Sequence, residues 1–210
     1  MTAAHRRHAE AVSALVLRAR QSVDAPWFAG AWNLNLAIIR GEDVGTWGDL
    51  IAVATEDDIG RPVALALKAC GSAWVGEWGA PTAPGGCVYV VQQYAPGGYA
   101  LGTHRGRPAL VQRKPFRLVR WPPGREIPSA SKLEHLATTD GFDGIVGANL
   151  HNLSGDRSPG ALPGRDDSEG CTLAAYQHEY GALLALVRRQ AERRGSSVVS
   201  PAFVYRSDIG

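Results

Sequence analysis

Short apolar runs separated by turn-forming residues are the feature that most constrains the fold of this chain. Apolar and β-branched stretches occupy residues 32–39, 50–55, 63–69 and 87–92. Polar or Gly/Pro-rich turns separate them. Residues 99–120 repeat the pattern as strand, turn at 105–108, strand and a basic alternating strand. Many short strands joined by such turns predict a β-rich sandwich.

Two helices are predicted to flank these strands. Residues 3–21 carry a helical apolar stripe, and Pro26 ends the helical tendency. Near the C-terminus the apolar residues recur at helical spacing: Leu173, Tyr176, Tyr180, Leu183 and Val187. We therefore expect a second helix that starts just after Cys171. The expected fold class is mainly β with flanking helices (α+β). Residues 1–25 form an N-terminal helix and potential docking extension, and residues 26–210 form the main domain.

Composition excludes several classes of protein. The net charge of +2 is too small to indicate nucleic-acid binding, and no basic stripe alternates with aromatic residues. No apolar run reaches the roughly 18 residues of a membrane span. The N-terminal segment contains Glu10, Arg18 and Arg20, so it lacks the apolar core of a signal peptide. We expect a protein made in the cytoplasm without a signal peptide.

One cysteine stands in a catalytic context. Cys171 follows Ser168-Glu169-Gly170, and sixteen residues separate His151 from Ser168. A thiol becomes a nucleophile at neutral pH when a nearby imidazole generates the thiolate. Gly170 allows a tight turn, so consecutive backbone N–H groups can stabilise a developing oxyanion. We predict Cys171 as the nucleophile, His151 as the general base and Gly170 as part of the oxyanion site.

These motifs resemble the L,D-transpeptidase catalytic domains, whose signature is a histidine, a spacer of similar length and Ser/Thr-His-Gly-Cys. The segments 147–151, 101–106 and 108–112 are similar to strands of a phage- and mobile-element-associated branch of that family. Residues 48–51 and 203–205 resemble its other strands. Glu169 replaces the family's second histidine, and the arginine and asparagine that usually follow the cysteine are absent after Thr172.

The resemblance implies an L,D-transpeptidase-like β-sandwich and further site residues. The backbone carbonyl of Asn152 would orient His151, although a carboxylate of Asp166 or Asp167 is an alternative third member. His104 would line the cleft and contact bound peptide, or else be a strand-end histidine bonded to a backbone carbonyl. Ser168 would support the turn on the substrate side.

The resemblance also implies a function. Cys171 and His151 would carry out acyl transfer on peptidoglycan stem peptides, by hydrolysis or transpeptidation, without a cofactor. The expected partners are peptidoglycan and a phage tail-like or secretion apparatus, to which residues 1–25 would attach. The protein would act at the cell wall after lysis or delivery. The sequence contains no H-x-H, H-E-x-x-H or C-x-x-C, so we expect no metal.

Two other functions stay open, a non-catalytic structural or wall-binding module and a cysteine amidohydrolase acting on a small soluble amide. Cys70 and Cys87 are either buried reduced thiols or a disulfide pair. Three tryptophans either stack on sugar rings or pack in the core: Trp74, Trp78 and Trp121. The other four histidines are expected at the surface: His5, His8, His135 and His178.

Overall fold

The computed structural model describes residues 2–43, 47–70, 86–126, 128–152 and 170–210. Within these ranges three α-helices accompany two β-sheets, which confirms the predicted mainly β, α+β class. The helices are α1 (Ala3–Gln21), α2 (Ala130–Asp140) and α3 (Gln177–Arg194). The strands are β1 (Asn35–Arg40), β2 (Asp49–Glu56), β3 (Pro62–Cys70), β4 (Cys87–Val90), β5 (Gln93–Tyr94), β6 (Tyr99–His104), β7 (Arg107–Gln112), β8 (Phe116–Trp121), β9 (Phe142–Gly144), β10 (Leu150–Asn152), β11 (Thr172–Ala174) and β12 (Pro201–Tyr205).

A nine-stranded curled sheet is the centre of the fold. Its strand order is β5-β12-β1-β2-β3-β11-β10-β7-β6. The pairs β1–β12 and β10–β11 are parallel, and the other neighbours are antiparallel. A bridge between Tyr99 of β6 and Val199, just before β12, brings the two ends of the sheet together.

The main core lies between the large sheet, a three-stranded sheet of β4, β8 and β9, and helix α3. Val90, Phe116 and Leu118 from the small sheet pack with residues of the large sheet such as Ile38 and Ile51. Helix α3 adds its apolar face to the same core through Tyr180, Leu183, Leu184 and Val187. The apolar alternation of the strands is therefore satisfied by a second sheet and a helix, as in a sandwich.

Helix α1 covers the opposite face of the large sheet. Val12, Val16 and Ala19 pack against small side chains of β1, β2 and β12, among them Ala37 and Ala52. Arg20 is buried beneath the helix and donates hydrogen bonds to the carbonyls of Pro26, Leu36 and Ser200. The predicted helix over residues 3–21 is confirmed, whereas its docking role stays a prediction. None of the described helices has the length and apolarity that a membrane span requires.

One local prediction is wrong, and one helix was not predicted. No helix starts just after Cys171, because Thr172–Ala174 form β11, and α3 begins only at Gln177. Strand β11 pairs with both β3 and β10, so sheet hydrogen bonds override the helical spacing that begins at Leu173. Helix α2 was not expected from the sequence. It packs Ala130, Leu133 and Ala137 against the small sheet and β12.

Candidate functional site

Neighbouring strands of the large sheet position the candidate site. His151 lies in β10, and Cys171 directly precedes β11, which pairs in parallel with β10. Leu150 pairs with Thr172 and His151 with Leu173. Leu150 joins the main core, while Leu173 and Cys171 belong to a separate cluster. Because side chains alternate along a strand, His151 and Cys171 lie away from the main core at the same end of the paired strands.

Three side chains converge at this place. The Cys171 Sγ and one ring nitrogen each of His104 and His151 all lie within 4.8 Å of one another. The two imidazole rings are stacked, with centroids 4.6 Å apart and planes 25° from parallel. The Cys171 thiol donates a hydrogen bond to the carbonyl oxygen of Gly147 at 3.3 Å. This contact is that of a neutral thiol at rest, within reach of an imidazole that can take its proton.

The backbone orients His151. Its Nδ1 lies 3.0 Å from the carbonyl oxygen of Asn152. A carbonyl can only accept, so Nδ1 carries the proton and Nε2 has the lone pair. Nε2 is buried and makes no hydrogen bond with the described residues. Burial lowers the pKa of His151, the Asn152 contact opposes that effect, and the positive charges of Arg105 and Arg107 lower it further. His151 is therefore a neutral base at pH 7.

A chain of hydrogen bonds from Gln112 through Asn149 holds the side chain of His104 in place. The backbone N–H of Gln112 donates to Asn149 Oδ1 at 2.9 Å, which assigns the other end of that amide as the NH2 group. Asn149 Nδ2 lies 2.9 Å from His104 Nδ1, so the amide donates and Nδ1 accepts. Burial, followed by the charge of Arg105, lowers the pKa of His104. Both histidines next to Cys171 are neutral at pH 7, in opposite tautomers.

Gly170 has no room for a side chain. Its φ is +150°, a backbone conformation that L residues rarely adopt. A Cβ at this position would collide with Val88 Cγ2 and would lie 2.8 Å from the Val88 carbonyl oxygen. Strand β4 of the small sheet therefore packs directly against the backbone that precedes Cys171.

A cleft of about 220 Å³ opens over these residues. Its described lining includes Cys171, Gly170 and His104, and its charged residues there are Arg105 and Arg120. Arg105 has a φ of +49° and Gly106 a φ of +76° in the two-residue turn between β6 and β7. Such left-handed turns suit the twist of a hairpin, and this one places an arginine at the mouth of the cleft. The positively charged wall favours anionic groups near Cys171.

A Cys-His-His cluster also has the donor types of a zinc site. Zinc-bound histidines donate their second ring N–H to an acceptor, and His151 meets this condition through Asn152. His104 does not, because its Nδ1 faces the NH2 of Asn149, which cannot accept a hydrogen bond. Metal binding would require the Asn149 amide to flip and lose the N–H of Gln112. The hydrogen bonds therefore fit a metal poorly.

The structure brings together Cys171, His151, Gly170, the Asn152 carbonyl and His104. Asn149 and Gln112 were not predicted as site residues, although Asn149 lies two positions before His151, the strand spacing for the same face. Arg105 and Arg120 were missed because they belong to other parts of the chain. Five predicted or candidate residues lie outside the described residues: Ser168, Asp166, Asp167, Trp74 and Trp78.

The remaining predicted residues also have defined places. Cys70 and Cys87 are buried, and no disulfide joins the three cysteines, all of which are described. Trp121 packs partly buried against the cluster around α2. The surface positions expected for the other histidines are confirmed for His5, His8, His135 and His178. Comparison of the chain with protein-family profiles, with curated proteins and with solved structures finds no match.

Proposed function

We propose that this protein is a cysteine-dependent acyltransferase that acts on peptidoglycan stem peptides, in the manner of the L,D-transpeptidases its motifs resemble. The single observation that supports the proposal is the approach of the Cys171 thiol to a neutral, backbone-oriented His151 beside a cleft. A buried imidazole with an unshared Nε2 lone pair is the group that an acyl-transferring thiol requires.

The reaction would proceed through a thioester. His151 Nε2 takes the Cys171 proton as Sγ attacks the amide carbon, and the carbonyl electrons move to the oxygen. When the tetrahedral intermediate collapses, the C–N bond breaks and His151 returns the proton to the leaving amine. An amine or water then attacks the thioester carbon while His151 accepts the proton of the new nucleophile. The C–S bond breaks, and His151 returns that proton to the Cys171 sulfur. The first acceptor gives transpeptidation and the second gives hydrolysis.

The charge of the cleft supports the choice of substrate. Stem peptides carry free carboxylates, and Arg105 and Arg120 line the same cleft as Cys171. Arginine binds carboxylates with paired hydrogen bonds, so these two residues would take over recognition of the donor peptide. They would compensate for the arginine and asparagine that are missing after Thr172. Because peptidoglycan lies outside the cytoplasm, the protein would reach it after lysis or by delivery on a tail-like or secretion apparatus.

The test is digestion of purified sacculi with the full-length protein and mass spectrometry of the released muropeptides. We expect cleaved or newly cross-linked stem peptides, and no change with Cys171→Ala. Cys87→Ala is the matched control, since Cys87 is a buried thiol outside the reaction, and it should retain activity. Binding to sacculi without any change in muropeptides would instead support a wall-binding module. Turnover of small amides alone would support an amidohydrolase.

A further inference from the structure

We propose that His104 is a second catalytic imidazole, a neutral hydrogen-bond donor whose Nε2–H stabilises the oxyanion of the acyl group bound at Cys171. The proposal rests on the proposed nucleophilic role of Cys171. It assigns to His104 a role opposite to that of His151, which accepts a proton in the same step.

The tautomer of His104 follows from two hydrogen bonds. Asn149 Oδ1 is occupied by the N–H of Gln112, so its NH2 group must face His104 Nδ1. Nδ1 therefore has the lone pair, and in the neutral ring the proton lies on Nε2. Because Nδ1 is engaged with Asn149, Nε2 is the nitrogen that can meet a ligand in the cleft, and it can only donate.

The position of His104 suits this task. It lines the same cleft as Cys171 and Gly170, and one of its ring nitrogens lies within 4.8 Å of the sulfur. When the carbonyl oxygen of an acyl group on Cys171 becomes an oxyanion, its hydrogen-bond donors should lie about 3 Å away. The ring stacks on His151 instead of hydrogen bonding to it, so the two imidazoles do not exchange protons with each other.

The neutrality of His104 also protects the base. A second imidazolium 4.6 Å from His151 would repel the charge that His151 acquires when it takes the thiol proton. Asn149 opposes such a state, since its NH2 group leaves no acceptor for a protonated Nδ1. Arg105 acts in the same direction through its charge. His104 thus contributes a donor without competing for the proton.

Two reactions of Cys171 separate this role from a structural one. Acylation by p-nitrophenyl acetate passes through an oxyanion, whereas alkylation by iodoacetamide does not. In the full-length protein we expect His104→Ala to slow acylation by roughly 10²–10³-fold, the usual cost of one oxyanion donor, while alkylation changes little. His104→Gln, which retains an N–H donor, should recover part of the acylation rate. A structural role would slow both reactions together, and that result would overturn the proposal.

Asn149→Asp tests the tautomer directly. A carboxylate cannot donate to Nδ1, so His104 should change to the Nδ1–H tautomer or become protonated. Nitrogen NMR of the imidazoles should show a protonated Nε2 in the wild type and a protonated Nδ1 in the variant. Acylation should fall in Asn149→Asp but show no further loss when His104→Ala is already present. Asn33→Asp is the matched control, since Asn33 lines a different cavity. A wild-type Nδ1–H tautomer or additive losses would refute the proposal.

These measurements do not depend on the physiological substrate. If sacculi are not modified but the acylation and NMR results are as expected, the donor role of His104 stands and the proposed substrate is wrong. If acylation by the small ester is unaffected by His104→Ala while sacculi are cleaved, the donor role is wrong and the proposed function stands.

Discussion

Among the described residues, the polar side chains around Arg40 and those around Cys171 are both buried, but they differ in their charges. Around Arg40 the guanidinium lies 4.6 Å from the Tyr89 ring centroid and interacts with the charges of Glu134 and Asp49. The Tyr205 hydroxyl donates to Glu134 at 2.9 Å and lies 2.6 Å from the Tyr89 hydroxyl. The guanidinium nitrogens of Arg40, like the Nε2 of His151, make no hydrogen bond with the described residues. Beside Cys171, however, the two imidazoles are neutral at pH 7.

The difference indicates separate roles. When one member of a buried group of charges is removed, the remaining charges lose their compensation and the fold is destabilised. A buried lone pair without a partner costs about 1–3 kcal/mol of folding free energy. The unbonded N–H groups of Arg40 carry a similar cost, which the charges of Glu134 and Asp49 and the rings of Tyr89 and Phe203 offset. For the lone pair of His151 we expect a role in chemistry instead. We therefore expect substitutions at Arg40 to affect stability and substitutions near Cys171 to affect activity.

The largest expected effect is on activity, with His151→Ala. Acylation of Cys171 by p-nitrophenyl acetate should fall by about 10²–10⁴-fold, because the thiol loses its general base. Unlike His104→Ala, this variant should also slow alkylation by iodoacetamide. The free energy of unfolding in urea should change by less than about 1 kcal/mol, since lost packing is offset by removal of an unsatisfied nitrogen. His178→Ala, an exposed histidine on α3, is the control and should change neither quantity.

The second prediction concerns Arg40, where we expect the opposite of the His151→Ala result: a change in stability and none in activity. Arg40→Ala should lower the free energy of unfolding by about 3–5 kcal/mol, because the buried carboxylates lose their cation. Arg40→Met keeps most of the side-chain volume, so it measures the charge alone and should lose less. The acylation rate per folded molecule should be unchanged in both. The distinction between the clusters would be wrong if Arg40→Met lost activity without losing stability.

The third prediction addresses the backbone that precedes Cys171. Gly170→Ala should lower the free energy of unfolding by about 1–3 kcal/mol, since an L residue is strained at this φ and meets Val88. The rate of acylation should fall as well, because the backbone at Gly170 fixes the position of the adjacent Cys171. Gly181→Ala in α3 is the matched control: its Cβ meets nothing, and it should stabilise the helix by about 0.5–1 kcal/mol. Wild-type acylation by Gly170→Ala would contradict a role of Gly170 in the site.

The sequence allowed the strands and the proximity of His151 and Cys171 to be predicted, but not the hydrogen bonds that surround these two residues. Alternation and turn residues indicated the strands, and spacing indicated His151 and Cys171. The link from Gln112 to Asn149 to His104 depends on the pairing of β7 with β10 and β6, which joins residues far apart in the chain. Helical spacing after Cys171 was overridden by the insertion of β11 between β3 and β10. Patterns among neighbouring residues of the sequence contain no information about these long-range strand pairings.

Acid should destabilise the fold through the two histidines. Burial is the main cause that lowers the pKa of both His104 and His151 in the folded protein. Below about pH 6.5, the ordinary histidine value, the unfolded chain therefore binds protons that the folded chain does not. The free energy of unfolding should fall as the pH drops through that range. His104→Gln and His151→Gln should each reduce this pH dependence in urea titrations, and an unchanged slope would contradict neutral imidazoles at the site.

The smallest expected effect is a shift in the pH profile of acylation. The rate should fall at low pH as His151 becomes protonated, with its midpoint below the ordinary histidine pKa of about 6.5. Arg105 and Arg107 hold that pKa down through their charges. Arg105→Gln removes one charge, so the midpoint should move to higher pH by a few tenths of a unit. Arg113→Gln, on the loop after β7, should leave the midpoint unchanged. The ester is uncharged, so the shift reports on His151 and not on binding of a carboxylate, and a midpoint moving to lower pH would exclude His151 as the titrating base.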